Sequence, residues 1–237
     1  MNSTWPESTL EPRISVVIPA VDESATLARV IAAVQSAAVS YELIVVDGGS
    51  ADDTAKIAAG AGAKVIRSLR RQRAFQLNLG AQHARAAVLL FLHADTLLPP
   101  HAFEGIALAL RDPSVVGGAF VRRYASPSLL LRFTCFLAHW RNRMIGWHLG
   151  DQAMFVRRAT FFQLGGFREV DQFEDLDFSR RLRRFGRTAT LRRRVTSSAR
   201  RFDRSGPAGT TLRDLMLTVH YLMHGLPKSP PATPIRH

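Results

Sequence analysis

Between Ile14 and Arg111, short β-branched runs alternate with segments whose apolar residues recur at helical spacing. Ile14-Ser15-Val16-Val17-Ile18, ended by Pro19, reads as a buried strand. Leu43 to Val46, Ala63 to Ile66 and Val88 to Leu92 read the same way. Leu27, Val30, Ile31 and Val34 give the first intervening helix one apolar face, and Asp22 or Ser24 is placed to cap it. Asp52 and Asp53 suit the first turn of the next helix, where the dipole favours negative charge. Gln76 to Arg85 is a third helical stretch, and Pro99-Pro100 opens a fourth that runs to about Arg111. Val115 to Tyr124, with Gly117-Gly118 inside it, is a further strand. Strands separated by helices need crossover connections. The expected fold is therefore α/β, with a mostly parallel central sheet flanked by helices.

The second half changes character. Ser128 to Trp147 is long, apolar and studded with arginine. Met154 to Val156 is a short strand behind Gly150-Asp151-Gln152, and Glu174 to Phe185 is a charged helix ended by Gly186. Thr188 to Ser198 reads as extended. Thr210 to Leu226 is an amphipathic helix with Leu212, Leu215, Met216, Val219 and Met223 on one side. No long linker interrupts the chain, so residues 13–226 are expected to form one domain. Residues 1–12 are expected to be a flexible leader and the proline-rich 227–237 a disordered tail. The leader lacks the basic start and apolar stretch of a signal peptide, and no apolar run approaches the ~20 residues of a membrane-spanning helix. The single Cys135 excludes an internal disulfide and fits a reducing compartment. It is expected to be buried and inert. The expected location is cytoplasmic, with peripheral contact at the inner face of the cell membrane as an extension of that reading.

The formal net charge is +13, and the only lysines are Lys56, Lys64 and Lys228. A charge carried by arginine suits phosphate and carboxylate, because guanidinium is a planar fork. A phosphate-bearing substrate, an anionic membrane surface and nucleic acid all remain compatible with it. No nucleic-acid-binding motif accompanies it, so no nucleic acid is expected. The turn after the first strand, Pro19-Ala20-Val21-Asp22-Glu23, has neither G-x-G-x-x-G nor a P-loop. That argues against a nicotinamide enzyme and a P-loop ATPase.

Three acidic clusters follow in order: Asp47 in ELIVVDGGS, Asp95 in VLLFLHADT, and Glu174-Asp175 in DQFEDLDF. The first two end strands, where ligands bind in open α/β sheets. Asp47 is placed to accept hydrogen bonds from a base or ribose, and Gly48 lets a ligand approach the backbone closely. His93 and Asp95, two apart on a strand, share a side. With Ala94 between them they can flank a divalent ion, Mg²⁺ or Mn²⁺, that also binds a diphosphate. Glu174-Asp175 opens a helix, where a carboxylate facing a cleft can take a proton from an acceptor hydroxyl. Arg73, Gln76, Asn78 and Gly80 form R-x-x-Q-x-N-x-G, which turns Arg73 and Gln76 to one face. Arg180, Arg181, Arg183 and Arg184, and the pair Arg200-Arg201, are further candidates for phosphate contact. Each cluster also has a plain reading as a turn or a helix cap.

Together these pieces resemble family-2 glycosyltransferases of the GT-A fold. The resemblance runs from about Ile14 to Phe202 through ISVVIPAVDE, ELIVVDGGSADDT, RAFQLNLGA, LLFLHADTLLP, GDQAMFVRR, LGGF and FEDLDFSRRLRRFGR. It is nearest the small bacterial subgroup whose metal motif reads H-A-D. The resemblance implies an inverting transfer of a hexose or similar sugar from a nucleotide-diphosphate donor to a hydroxyl. It implies Pro19 and Glu23 at the nucleotide, Asp47 at the base, and Asp95 at the metal–diphosphate. Asp175 is then the base, with Glu174 beside it. Gly150, Asp151 and Gln152 resemble an acceptor-side loop. His93 stands where the family's first Asp of D-x-D would be, which removes one negative charge from the metal site. The acceptor is open, with a lipid-linked molecule among the candidates. The Leu129–Trp147 segment can present it from a membrane surface, although the apolar stripe is read first as a core helix. Two other functions stay open: a nucleotidyltransferase of similar fold, and a basic non-enzymatic protein that binds nucleic acid or membrane.

Overall fold

A computed structural model describes residues 13–200, 202 and 206–226. The expected leader (1–12), the expected tail (227–237) and Arg201 lie outside the described residues. The first half is β1 (Ile14–Ala20), α1 (Ser24–Gln35), β2 (Tyr41–Asp47), α2 (Thr54–Gly60), β3 (Lys64–Arg67), α3 (Arg73–Gln82) and β4 (Val88–Phe91). There follow β5 (Thr96–Leu97), α4 (Ala102–Ala109), β6 (Val115–Tyr124) and α5 (Leu129–Ile145). A 3-10 turn at Gly150–Gln152 leads into β7 (Met154–Arg157), α6 (Arg158–Gln163), α7 (Glu174–Phe185), β8 (Arg187–Ser197) and α8 (Pro207–His224).

The strands form one sheet in the order β3-β2-β1-β4-β7-β6-β8-β5. β1 pairs in parallel with β2 and β4, β2 with β3, and β6 with β8. β7 runs antiparallel between β4 and β6, and β5 antiparallel to β8. The chain steps outward from β1 through β2 to β3, then returns to lay β4 on the other side of β1. That reversal opens a crevice beyond the carboxyl ends of β1 and β4, the place where such sheets bind ligands.

Both faces of the inner strands are buried, as continuous β-branched runs require. Val16, Ile18, Val45 and Leu90 point to one face, where α1 brings Leu27, Val30, Ile31 and Val34 and α4 brings Phe103 and Ile106. Val17, Ile44, Val46 and Phe91 point to the other, under Leu77 of α3, Phe161 of α6 and Phe178 and Leu182 of α7. Gly80 of α3 faces β1 and β2 so closely that a β-carbon would collide with Val17. Phe91, Phe161, Phe167 and Phe178 meet in an aromatic box, with Phe167–Phe178 centroids 4.8 Å apart and Phe91–Phe161 5.1 Å apart. This box fixes α7 to the end of β4.

Some expectations change at the boundaries. β1 continues through Pro19 to Ala20, in register with Val46 and Asp47. Neither Asp22 nor Ser24 caps α1; the neighbouring loop does. The amides of Asp22, Glu23 and Ser24 donate to Ser50 Oγ, Thr54 Oγ1 and Asp52 Oδ2 at 3.0, 2.8 and 3.0 Å. Asp52 and Asp53 precede α2 rather than lying in its first turn. Cys135 is only partly buried. The larger correction concerns α5. The Leu129–Trp147 stripe is not a core helix: only Leu131, Ala138 and Asn142 of α5 are buried. On α8, Leu212, Leu215, Met216, Val219 and Met223 all face solvent.

His148 is 1% exposed, its amide donating to Ser179 Oγ at 2.7 Å and its Nε2 3.0 Å from Thr190 Oγ1. Burial, then Arg141, pushes its pKa down to about 3. The unfolded chain therefore takes up a proton that the native state refuses, so stability falls as pH drops from the unfolded value of about 6.5 towards 3. Urea melts at pH 6 and pH 5 should show the wild type losing about 1.2 kcal/mol more than His148→Gln over that unit. Parallel stability curves for the two proteins would contradict this.

Candidate active site

The crevice at the sheet reversal holds a cavity of about 290 Å³ lined by Pro19, Ala20, Val21, Glu23, Arg71, Arg73, Gln76, His93, Ala94 and Asp95. It joins the chain just past β1, the turn just past β4 and the first turn of α3. A broader depression of about 660 Å³ lies at the opposite ends of the strands, around Tyr41, Glu42, Lys64 and Arg85. Its carboxylate, Glu42, is committed to Ser15 and to the backbone of Arg85 and Ala86, so the chemistry sits at the first cavity.

β4 stops at Phe91, and His93 to Asp95 form a turn closed by Thr96 N donating to His93 O at 3.1 Å. Strand alternation therefore does not align His93 with Asp95; the turn places both on the cavity wall. The Nη2 of Arg200 lies 2.7 Å from Glu23 Oε2 and 3.5 Å from Asp95 Oδ2, tying two acids of the cavity to one cation. Burial, and after it Arg73, holds the His93 pKa below the usual histidine value, against the opposing pull of Asp151, Asp95 and Asp175. His93 therefore favours its uncharged form more than a free histidine does, although Asp151, Asp95 and Asp175 all pull the other way.

Glu174 and Asp175 share the amino end of α7, where the helix dipole favours anions, but their surroundings differ. Glu174 is 1% exposed, and its Oε1 accepts from Arg73 Nε. Burial, then Asp175, raises its pKa, with Arg73 opposing. Its Oε2 has no partner. Asp175 is half-buried. Its Oδ2 accepts from Gly150 N at 2.6 Å and its Oδ1 from Leu176 N at 2.6 Å. A β-carbon on Gly150 would lie 2.9 Å from His93 Nε2 and 3.1 Å from Asp175 Oδ2, so both side chains close on that glycine. Phe173, just before the pair, takes the left-handed conformation at φ 66°, a strain that clusters at functional sites.

Asp47 is buried, but its carboxylate turns onto its own loop, accepting from Gly49 N, Ser50 N and Ser50 Oγ. Gly48 packs where any β-carbon would strike Gln76 and Val21. Gln76 itself is 3% exposed, lines the cavity and leaves Nε2 unpartnered. Asn78 is elsewhere. Its amide exchanges hydrogen bonds with the backbone of Phe167 at 2.8 and 2.9 Å and holds the LGGF turn. Gln152 is spent likewise on Leu149 N and Phe120 O. Asp151 pairs with Arg122, which is 8% exposed, and accepts from Tyr124 at 3.2 Å. Burial would raise the Asp151 pKa, but Arg122 and His93 hold it down. None of Arg180, Arg181, Arg183 and Arg184 lines the cavity. Arg181 clamps Asp177, Leu164 O and Gly166 O.

Three residues of the site escaped the sequence reading. Arg71 lines the cavity, pairs with Asp22 at 2.9 Å and donates to Gly48 O and Gly49 O. Arg122 neutralises Asp151, and Arg141 of α5 is close enough to feel Arg122, Asp151 and Asp175. In so arginine-rich a chain, nothing in the local sequence distinguishes Arg71, Arg122 and Arg141 from their many neighbours.

Known proteins resemble this chain in sequence and in fold. The sequence is 31% identical over 199 residues to an uncharacterized protein of Mycobacterium tuberculosis (strain CDC 1551 / Oshkosh), covering 73% of this chain and 62% of that one. It is 30% identical over 156 residues to an undecaprenyl-phosphate 4-deoxy-4-formamido-L-arabinose transferase of Shewanella sediminis (strain HAW-EB3), covering 61% of this chain and 47% of that one. The chain thus spans between about half and three fifths of those relatives' lengths. Among solved structures, a mannosyltransferase of Pyrobaculum calidifontis in complex with GDP-Man and Mn²⁺ superposes with TM-score 0.64 at 21% identity, over 80% of this chain and 57% of that one. Glucosyl-3-phosphoglycerate synthase of Mycobacterium tuberculosis, in complex with Mn²⁺, UDP and glucosyl-3-phosphoglycerate, gives 0.64 at 22%, over 92% and 82%. These likenesses establish the GT-A fold. The glycosyl transferase family 2 signature matches residues 15–165, and the chain belongs to that family of glycosyltransferases.

Proposed function

We propose that the protein transfers a sugar from a nucleotide-diphosphate donor to an acceptor hydroxyl, by single displacement with inversion, and that Asp175 is the general base. The observation that carries this reading is the pairing of Asp175, half-open and oriented by the Gly150 amide, with the cavity beside His93 and Asp95. The cavity stands at the sheet reversal, and the donor's diphosphate fits between Arg71, Arg73 and the amino end of α3. The unpartnered Gln76 Nε2 offers it a buried hydrogen-bond donor. Arg73 in turn fixes Glu174, so Asp175 is the acid left free to approach an acceptor. Electrostatic stabilisation of the departing diphosphate is the largest contribution expected of such a site.

A divalent ion fits the donor set in kind. The His93 imidazole and the Asp95 carboxylate both line the cavity, and Mn²⁺ accepts imidazole as well as oxygen. Among the described residues no three His, Cys, Asp or Glu side chains converge as a ready cage, so phosphate oxygens would complete the coordination. When bound, such an ion supplies positive charge that lowers the cost of the leaving diphosphate. The solved relatives were captured with GDP-Man and with UDP, and the base used by this chain is open between them.

The test is a thermal-shift series with UDP and GDP, each with and without Mn²⁺, on wild type and Asp95→Asn. One nucleotide should raise the Tm of the wild type, and more so with Mn²⁺; Asp95→Asn should lose the Mn²⁺-dependent part. A Tm unmoved by either nucleotide in the presence of Mn²⁺ sinks the reading.

A further inference from the structure

Thirteen of the 17 large apolar side chains exposed among the described residues lie on two helices, seven on α5 and six on α8. They include Phe133, Phe136 and Trp140 of α5 and Leu215, Met216 and Met223 of α8. The two helices touch each other, so the two exposed sets sit on neighbouring elements. Exposed apolar side chains gathered in this way mark an interaction site. No described helix is long and apolar enough to cross a membrane.

The charge at the edge of this patch selects the occupant. α5 contains Arg132, Arg141 and Arg143 and no acidic residue. Arg132 and Arg143 are exposed, as are Arg183 and Arg184 of α7. Arg183 reaches the Gly146 turn that ends α5. A cationic rim around aromatic and aliphatic side chains complements an anionic lipid surface, where arginine stems lie along the acyl boundary with their heads among phosphates. Pairing two copies through the same patch would set arginine rim against arginine rim.

The patch is also joined to the cleft. Tyr221 of α8 stacks on Phe173, the residue before Glu174, with centroids 5.1 Å apart and planes within 15°. The Arg180 guanidinium lies 5.1 Å from the Trp147 ring and 5.4 Å from that of Tyr221. Arg141 of α5 is near enough to feel the charges of Arg122, Asp151 and Asp175. Leu131 of the same helix packs with Phe202 and Ala199, next to Arg200.

We propose that α5 and α8 seat the protein on an anionic bilayer and that the cleft takes its acceptor hydroxyl from a molecule carried in that bilayer. The seating stands on the patch alone. The origin of the acceptor rests on the transferase reading above.

The test is co-sedimentation of the full chain with vesicles of phosphatidylcholine alone and with added phosphatidylglycerol. Binding is expected to the phosphatidylglycerol vesicles and to weaken, without vanishing, as salt is raised. The double variant Phe136→Glu/Met216→Glu, both positions being exposed, should keep the wild-type Tm and the nucleotide-induced shift. Its vesicle affinity should fall roughly tenfold or more, because two large apolar side chains no longer leave water. Trp140 fluorescence should shift to the blue on vesicle addition, and Trp140→Phe should remove that shift. Absence of binding to anionic vesicles, or binding untouched by the double variant, overturns the proposal. So does a dimer in sedimentation equilibrium that the same variant splits and that ignores vesicles. Vesicle binding lost with the nucleotide shift intact leaves the transferase reading standing; the reverse pattern removes that reading and leaves the seating.

Discussion

Asp175→Asn should lower kcat by about 10²- to 10⁴-fold, the range that a positioned general base contributes, while nucleotide binding survives. Asparagine keeps the shape, and its one amide oxygen can still accept from one of the two amides, Gly150 N or Leu176 N, that orient the carboxylate. It cannot take up the acceptor's proton. Glu174→Gln makes the contrast. Glu174 is buried and bound to Arg73, so its loss disturbs the position of Arg73 and the amino end of α7 rather than removing the base. Donor-saturated turnover of the two variants separates the roles. Equal turnover in Asp175→Asn and wild type would sink the assignment, and a larger loss in Glu174→Gln would exchange the two residues.

Arg122→Met should destabilise the fold by about 3–5 kcal/mol, the cost of leaving one partner of a buried ion pair uncompensated. Arg122 is 8% exposed and holds Asp151, whose other electrostatic neighbour is His93. Without it, only the Tyr124 hydroxyl contacts the Asp151 carboxylate among these partners, and a third negative charge faces the cleft unneutralised. At about 2–4 °C per kcal/mol for a chain of this size, Tm should fall by roughly 6–20 °C. Arg122→Met/Asp151→Leu should recover a large part of that loss, because a buried pair replaced as a whole costs little. A double variant no more stable than Arg122→Met alone would show that packing of the arginine stem, rather than charge, sets the effect.

Much of the framework was legible because it rests on local rules. Runs such as Leu43–Val46 are buried on both faces, and the Leu27–Val30–Ile31–Val34 spacing can only be a helix with one apolar side. The site was legible where an acid or glycine follows such a run directly, as at Asp95. It was less so where a polar side chain has a backbone partner far away in sequence. Asn78 and Gln152 look like ligand-binding amides in a motif. Buried backbone groups must find partners, and theirs are Phe167, Leu149 and Phe120, which only the folded chain brings near. The end of β4 is set by the turn at His93–Thr96 and by the pairing of Thr96 with Ser197, a contact that spacing cannot announce. Helical period shows that α5 and α8 are amphipathic. It does not say whether the apolar side meets the core or faces outward, and here it faces outward.

If Asp175 is the base, the aromatic box of Phe91, Phe161, Phe167 and Phe178 makes the interior part of the catalytic apparatus. The helix that carries Asp175 is keyed by Phe178 into the end of β4, just before the turn that carries His93 and Asp95, so the spacing between them is inherited from how four rings nest. Trimming the buried Phe161 should then detune the proposed reacting groups as well as loosen the protein, so that turnover and melting temperature fall together.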